Sequence, residues 1–343
     1  MKSLSRTNTS RTTDGGLSMR SVVCTRYGPP EVLQVKEAAK PVPGDNEVLI
    51  KINAAVVTPA DIAFRKGEPF PVRASLGLRK PKLTPGVEFA GEIETAGRDV
   101  KKYKKDDQVF GSGGTVFGAH AEYRCLQEND ALAIKPANLD YGEAAAASYA
   151  GLTALPFLRD KAKIRDGQKV LINGASGSIG TFAVQLSKHF GAEVTGVCST
   201  DNIDMVKSLG ADAVIDYTRE DFTKNGLTYD IIFDVVARSS YSRCKSSLRQ
   251  NGIYLTTYPS PGALLQMLWT SKLSRKKSIF TATGLRPASE KAKDLLVIKE
   301  LAESGRIRPV IDRRYLLEQI AEAHRHVEKG HKKGNVVLTI DHT

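Results

Sequence analysis

The amino-acid sequence predicts an α/β protein built in two parts: a small, twisted β domain followed by a doubly wound parallel sheet. Three observations carry that prediction. Residues 22–139 show apolar alternation with period two, punctuated by Gly and Pro. From about residue 140, short apolar strands alternate with segments of helical period. Between one such strand and the helix after it lies a glycine-rich turn at residues 174–180. A chain of 343 residues, 41% of them hydrophobic, also suits two cores better than one.

The elements follow in order. Residues 1–18 are rich in Ser, Thr and Arg without a hydrophobic period, and read as a disordered basic leader; the ordered fold is expected to open at Met19. A transit peptide shares that composition. In the β part, Val48, Ile50 and Ile52 alternate with Leu49 and Lys51, and Val87, Phe89, Gly91 and Ile93 alternate again. In the second part an alanine-rich helix is expected over 143–158, then a strand over 169–173. The helix 178–190 puts Ile179, Phe182, Ala183, Leu186 and Phe190 on one face. Strands at 193–197, 213–216, 229–235 and 252–256 follow, with a helix at 202–209. After Pro287 a helix, a strand near 309–311, a helix over 316–329 and a last strand at 335–340 close the chain.

Composition excludes several classes of function. The four cysteines, Cys24, Cys125, Cys198 and Cys244, are scattered and form no C-x-x-C pair. That argues against a disulfide framework and against a structural zinc site. No apolar run reaches the roughly 20 residues a membrane span needs, and no signal-peptide core opens the chain. A cytoplasmic protein with no membrane partner is expected. The net charge of +12 is spread over the leader and short runs such as Lys101-Lys102 and Arg275-Lys276-Lys277. Such runs are usually solvated faces, though a basic field suits a phosphorylated cofactor.

The turn carries the chemistry. Residues 169–173 run into Gly174-Ala175-Ser176-Gly177-Ser178-Ile179-Gly180 and then into a helix, a variant G-x-G-x-x-G with Ala175 at the first glycine position. A tight turn at a helix N-terminus offers backbone N–H groups to a pyrophosphate. Gly177 lets the backbone approach the phosphates, Gly180 lets the helix pack on the sheet, and Ser176 and Ser178 add hydroxyls. The second strand then ends in Cys198-Ser199-Thr200, without the carboxylate that holds a ribose 2′-hydroxyl. Small hydroxyls admit a 2′-phosphate, which points to NADPH. Asp201 follows closely, and Arg219 is a candidate phosphate partner.

These residues also carry a resemblance. The run 170–180 with Gln185, the segment 210–217, the opening 22–34, the turn 85–91 and the helix start 150–154 resemble the medium-chain dehydrogenase/reductase superfamily, most closely its zinc-free quinone oxidoreductase branch, relatives of zeta-crystallin. The resemblance covers the chain from Met19 to Ile340. It implies a GroES-like β domain (19–143 plus 288–343) and a Rossmann NADPH-binding domain (144–287), with the active site in the cleft between them. It implies that Tyr217 and Ser199 lie near the adenosine phosphate and Thr153 near the nicotinamide. Thr200 joins that set, as does Asn335, in a closing segment where relatives often carry Lys. The positions matching catalytic zinc ligands are Thr58, Val87 and the alanine run 144–147, and neither Val nor Ala ligates a metal. No metal is therefore expected.

Without a Lewis acid, simple alcohol oxidation is disfavoured. Quinones and α,β-unsaturated carbonyls fit better, because hydride addition gives them a delocalised oxyanion that hydrogen-bond donors stabilise. Tyr258, on a Pro/Gly-rich loop after the strand 252–256, is the first candidate donor; Tyr149 and Thr58 are further ones, and Asp61 is read as a cap. His120 is read as a packing residue. The alternative reading is an NADPH-binding regulatory or RNA-binding module with little turnover. The absence of a stacking-aromatic motif argues against RNA. Residues 278–284, β-branched and aromatic, are expected to form an edge strand that pairs with a second copy, giving a homodimer.

Overall fold

A computed structural model describes residues 17–81, 84–258 and 260–342. The leader, up to residue 16, lies outside the described residues. The first strand already begins at Ser18, and the Lys40 N–H donates to the Leu17 carbonyl at 2.9 Å, so the ordered fold starts ahead of Met19. The described chain forms two units. One comprises the residues up to Tyr149, Pro287–Glu303 and those from Ile311 on; the other comprises Ala150–Arg286 and Ser304–Val310. The division falls inside the alanine-rich helix, six residues beyond the expected boundary after Glu143.

The first unit opens with an antiparallel pair, β1 (Ser18–Cys24) and β2 (Leu33–Ala39). β3 (Glu47–Val57) is followed by the helices α1 (Pro59–Lys66) and α2 (Pro71–Leu76). β4 (Glu88–Ala96), β5 (Gln108–Ser112), β6 (Tyr123–Gln127), β7 (Ala131–Ile134) and the helix α3 (Tyr141–Pro156) complete its first stretch. β3 is the hub, pairing antiparallel with both β4 and β6. Leu49 is consequently buried along with Val48, Ile50 and Ile52, where alternation alone gave β3 one apolar face. Ile50, Ile52, Phe89 and Ile93 form the centre of this core.

The second unit is the expected doubly wound sheet. Its strands are β8 (Lys169–Asn173), β9 (Glu193–Cys198), β10 (Ala213–Asp216), β11 (Tyr229–Asp234), β12 (Leu248–Thr256) and β13 (Lys277–Phe280). They are all parallel, in the order β10-β9-β8-β11-β12-β13. The strand order reverses at β8, which puts the C-terminal ends of β8, β9 and β11 at the point where such sheets bind ligands. The helices are α4 (Ser178–His189), α5 (Ile203–Ser208), α6 (Tyr241–Cys244) and α7 (Pro261–Leu273). α4 is buried around most of its circumference; Ile179 within it and Phe190 at its C-cap are partly exposed rather than part of a buried stripe. β13 does lie at an edge of the sheet.

The chain then returns to the first unit. α8 (Ala288–Glu303) packs on β7; β14 (Ile311–Leu316), α9 (Ile320–Glu328) and β15 (Asn335–Thr339) follow, and β15 pairs antiparallel with β3. Segment 304–310 stays with the second unit. Gln185 of α4 holds it: its amide Nε2 donates to the Arg308 carbonyl at 3.0 Å, and Oε1 accepts from the Arg308 N–H at 2.8 Å. Among the described residues no helix is long and apolar enough to cross a membrane.

Candidate cofactor site

The turn between β8 and α4 is built by its glycines. Gly174 has φ +90°, a left-handed conformation that favours glycine. The N–H groups of Gly174 and Ala175 donate to the Val197 carbonyl at 3.1 and 3.0 Å, which fastens the turn to the end of β9. At Gly180 a Cβ would stand 2.0 Å from the Gly174 carbonyl oxygen and 2.8 Å from the Ala175 Cα. Only glycine lets the helix sit so close to the turn.

Gly177 is different. It is the N-cap of α4, with φ −82° and ψ 176°, a conformation open to any residue. A Cβ there would meet nothing nearer than the Gly174 carbonyl oxygen at 3.5 Å. The fold itself therefore gives no reason for glycine at 177. No side chain caps α4 either, and the first turn of a helix carries N–H groups without intrahelical acceptors. An uncapped N-terminus with a cleared approach is what a pyrophosphate requires.

The end of β9, where the sequence places the adenosine end of a dinucleotide, lies beside it. The Asn202 amide donates to Ser199 Oγ at 2.9 Å and more weakly to Ser176 Oγ at 3.4 Å, linking the end of β9 to the turn. Thr200 Oγ1 donates to Asp216, the last residue of the neighbouring β10. The Asp216 carboxylate also accepts from the Thr218 N–H and hydroxyl at 2.9 and 2.7 Å, and lies 3.6 Å from Arg219 Nε. The Thr200 and Thr218 hydrogen bonds and the Arg219 charge hold its pKa below the usual carboxylate value. The Tyr217 N–H donates to the Cys198 carbonyl at 3.1 Å, and its side chain is 55% exposed. Asp201 is exposed in the short turn after β9.

A third group gathers where β8, β11 and β12 end. The buried Asp234 accepts from Asn173 Nδ2 at 3.0 Å, the Tyr254 hydroxyl at 2.9 Å, and the N–H groups of Val236 and Ser239 at 3.2 and 3.1 Å. Burial and this carboxylate push the Tyr254 pKa up, so Tyr254 stays protonated as a donor. The loop held this way rests on the cofactor turn, because a Cβ at Gly174 would strike Val236 Cγ1 at 2.4 Å. Tyr258 follows β12, 47% exposed, with its N–H donating to Thr256 Oγ1 at 3.3 Å.

The first unit holds the other expected residues. Thr58 is not a free donor: its hydroxyl donates to Asp61 Oδ2 at 2.7 Å and accepts from the Asp61 N–H at 3.3 Å, closing a capping box on α1. That agrees with Asp61 as a cap and shows where the Thr58 hydroxyl is engaged. Asp61 Oδ1 also accepts from the Gly86 N–H at 3.2 Å. Partly buried Glu88 is pushed up to about 7 by desolvation and then by the charge of Asp61, against the Ser112 hydrogen bond that lowers it. His120 is buried and donates from Nε2 to the Val56 carbonyl at 3.0 Å, edge-on to the buried His324 at 6.4 Å between centroids. Burial lowers the pKa of both rings. Asn335 opens β15 in this unit, and Tyr149 sits on α3 one helical turn before Thr153.

Zinc does not fit the residues present. Among the described residues no three His, Cys, Asp or Glu side chains gather into a group able to hold a metal. The thiols are buried, and desolvation pushes Cys125 up to about 12 and Cys198 and Cys244 up to about 11, far from the thiolate a metal binds.

Comparison with known proteins gives the setting. The alcohol dehydrogenase GroES-like domain family matches residues 44–136, and the zinc-binding dehydrogenase family matches residues 209–338. A mitochondrial NAD(P)H oxidoreductase, RTN4IP1 of Mus musculus, is 31% identical over 94% of this chain and 89% of its own. The 2-methylene-furan-3-one reductase of Solanum lycopersicum is 31% identical over 93% of this chain and 79% of its own. The solved quinone oxidoreductase of Coxiella burnetii superposes with a TM-score of 0.84 at 27% identity, covering 95% of this chain and 100% of that one. With a GroES-like domain, a Rossmann sheet carrying the glycine turn and these full-length relatives, the chain belongs to the medium-chain dehydrogenase/reductase superfamily, in its quinone oxidoreductase branch.

Proposed function

We propose that this protein is a zinc-independent reductase that uses NADPH to reduce quinones or α,β-unsaturated carbonyl compounds. The observation that carries the reading is Gly177: the fold has room for a side chain there, and the space beside an uncapped helix end suits a pyrophosphate. Gly174, Ala175, Ser176, Ser178, Ile179 and Gly180 complete that cradle. When bound, the nicotinamide supplies the hydride. Ser199, Thr200, Thr218 and Arg219 hold the 2′-phosphate end, with Tyr217 exposed beside them. Tyr258, on a loop at the C-terminal edge of the same sheet, offers a hydroxyl to the substrate oxygen as negative charge develops on it. Relatives named as an NAD(P)H oxidoreductase and as a 2-methylene-furan-3-one reductase support a nicotinamide cofactor and this substrate class.

The test is a turnover screen of quinones, enones and alkenals with NADPH and NADH on protein whose metal content has been measured. NADPH-dependent loss of quinone or enone without bound zinc is expected. Turnover only with stoichiometric zinc, or with simple alcohols alone, would overturn the reading.

A further inference from the structure

The helix α7 carries apolar side chains on its outward face as well as on its inward one. Ala263, Gln266, Met267 and the fully buried Thr270 face inward. Gln266 Nε2 donates to Ser242 Oγ at 3.1 Å, and Thr270 Oγ1 accepts from the Ser278 N–H at 3.0 Å, so polar groups fix the helix to its own unit. The outward face carries Leu265, Leu268, Trp269 and Leu273, which are 68%, 63%, 49% and 73% exposed. Their spacing puts Leu265, Leu268 and Trp269 in one stripe. A surface helix ordinarily turns polar residues outward, and an apolar patch of this kind marks a contact with something else.

Charge says what that something is. Residues 235–289 contain nine Lys or Arg and no Asp or Glu, a 55-residue all-basic stretch within a chain of net charge +12. Around α7, Lys245, Lys272 and Arg275 are exposed, and no carboxylate among the described residues pairs with them. Lys245 Nζ lies 5.7 Å from the Trp269 ring. Leucines and a tryptophan ringed by unpaired cations fit an interface whose outer layer is anionic and whose interior is apolar.

We propose that α7 docks this protein on an anionic phospholipid surface, its leucines and Trp269 entering the interface while the surrounding Lys and Arg side chains meet the headgroups. The contact is peripheral, with no spanning segment. It qualifies the expectation of no membrane partner, which rested on the absence of a span. The proposal is independent of the reductase reading, since it concerns binding and needs no turnover.

The experiment uses the full chain and vesicles of phosphatidylcholine with or without phosphatidylserine, read by co-sedimentation and by intrinsic fluorescence. Trp269 is the chain's one tryptophan, so its emission reports on the proposed contact directly. Binding to the serine-containing vesicles is expected, weakening with salt and accompanied by a blue shift. The double variant Leu265→Glu/Leu268→Glu should lose at least about tenfold in partitioning with an unchanged thermal melt. Lys272→Glu/Arg275→Glu, which leaves the apolar stripe intact, should lose the preference for phosphatidylserine. Absence of vesicle binding, or binding with unshifted Trp269 emission, would overturn the proposal. So would a double variant that dissociates a dimer without touching vesicle binding, which assigns the face to a second copy. Displacement of the vesicles by an RNA oligonucleotide bound at the same face would equally overturn it.

Discussion

Two glycines three residues apart should respond to substitution in opposite ways. At Gly177 the backbone is extended and a Cβ meets only the Gly174 carbonyl oxygen at 3.5 Å. Gly177→Val replaces a favourable N-cap by a poor one, at a cost of about 1 kcal/mol, which shifts the melting temperature of a protein this large by only about 2–4 °C. Its branched side chain nonetheless projects into the approach to the uncapped helix end. Each charge-assisted hydrogen bond to the pyrophosphate is worth about 1.5–3 kcal/mol. Losing two of them, about 3 kcal/mol or more, weakens NADPH at least about 100-fold, which corresponds to about 2.7 kcal/mol. At Gly180 the geometry is closed: a Cβ would stand 2.0 Å from a backbone oxygen. Gly180→Ala must push helix and turn apart, costing about 1–3 kcal/mol or more, and should lower stability and cofactor binding together. Fluorescence titration with NADPH and thermal denaturation of both variants separate the outcomes. A Gly177→Val protein that binds NADPH like the parent would show that the space beside 177 is not the phosphate site. A Gly180→Ala protein that melts like the parent would show that the close approach is not needed.

Three further outcomes follow from the same geometry. NADPH should bind about tenfold tighter than NADH, a difference of about 1.4 kcal/mol, and Arg219→Ala should remove most of the preference; equal affinities in the parent would refute the assignment of the 198–200 turn. Glu88, held near 7 rather than at 4.5, keeps its proton in the folded state while the unfolded chain ionises, so stability falls as pH rises from about 4.5 to 7. Glu88→Gln should therefore match the parent in urea denaturation at acid pH and exceed it above neutrality, by a ceiling of about 3 kcal/mol; a difference independent of pH would refute the shift. Finally, sedimentation should find a homodimer joined through the edge strand β13; a monomeric parent at micromolar concentration would refute the pairing.

What was legible in the sequence was what a short window encodes. β8 and β10 fall where the apolar runs 169–173 and 213–216 place them, and the glycine turn lies between strand and helix as its spacing requires. Period and turn chemistry are local, and a one-dimensional pattern carries them. The sheet order around β8 was less visible, but alternation of strand and helix narrows it to a doubly wound form. The missed features are those in which distant residues share one contact. The grip of Gln185 on Arg308 spans 123 positions, and the His120–His324 pair spans 204. At α7 no short window of sequence says which face is outward, and only the exposure of its leucines shows it.

The adenosine end shows why the expected cofactor preference is modest. Reading the end of β9 alone finds hydroxyls and no acid, which favours a phosphate. The neighbouring strand adds what that reading lacks, since Asp216 ends β10 and reaches the same Thr200. An anion there would repel a 2′-phosphate if it stood alone. It does not: two threonine hydroxyls and one backbone N–H donate to it, and Arg219 lies 3.6 Å away. The pair is close to neutral as a unit, and the Arg219 side chain, 77% exposed, keeps donors that its carboxylate partner does not occupy. A phosphate arriving at Thr200 and Thr218 would therefore compete with Asp216 for their single hydroxyl protons, and would meet a guanidinium already oriented by Asp216, with solvent screening both charges. Orientation gained through Asp216 and repulsion from it oppose each other. Selectivity at this site is thus a small difference between two sizeable electrostatic effects, set by one exposed arginine rather than by a buried pocket.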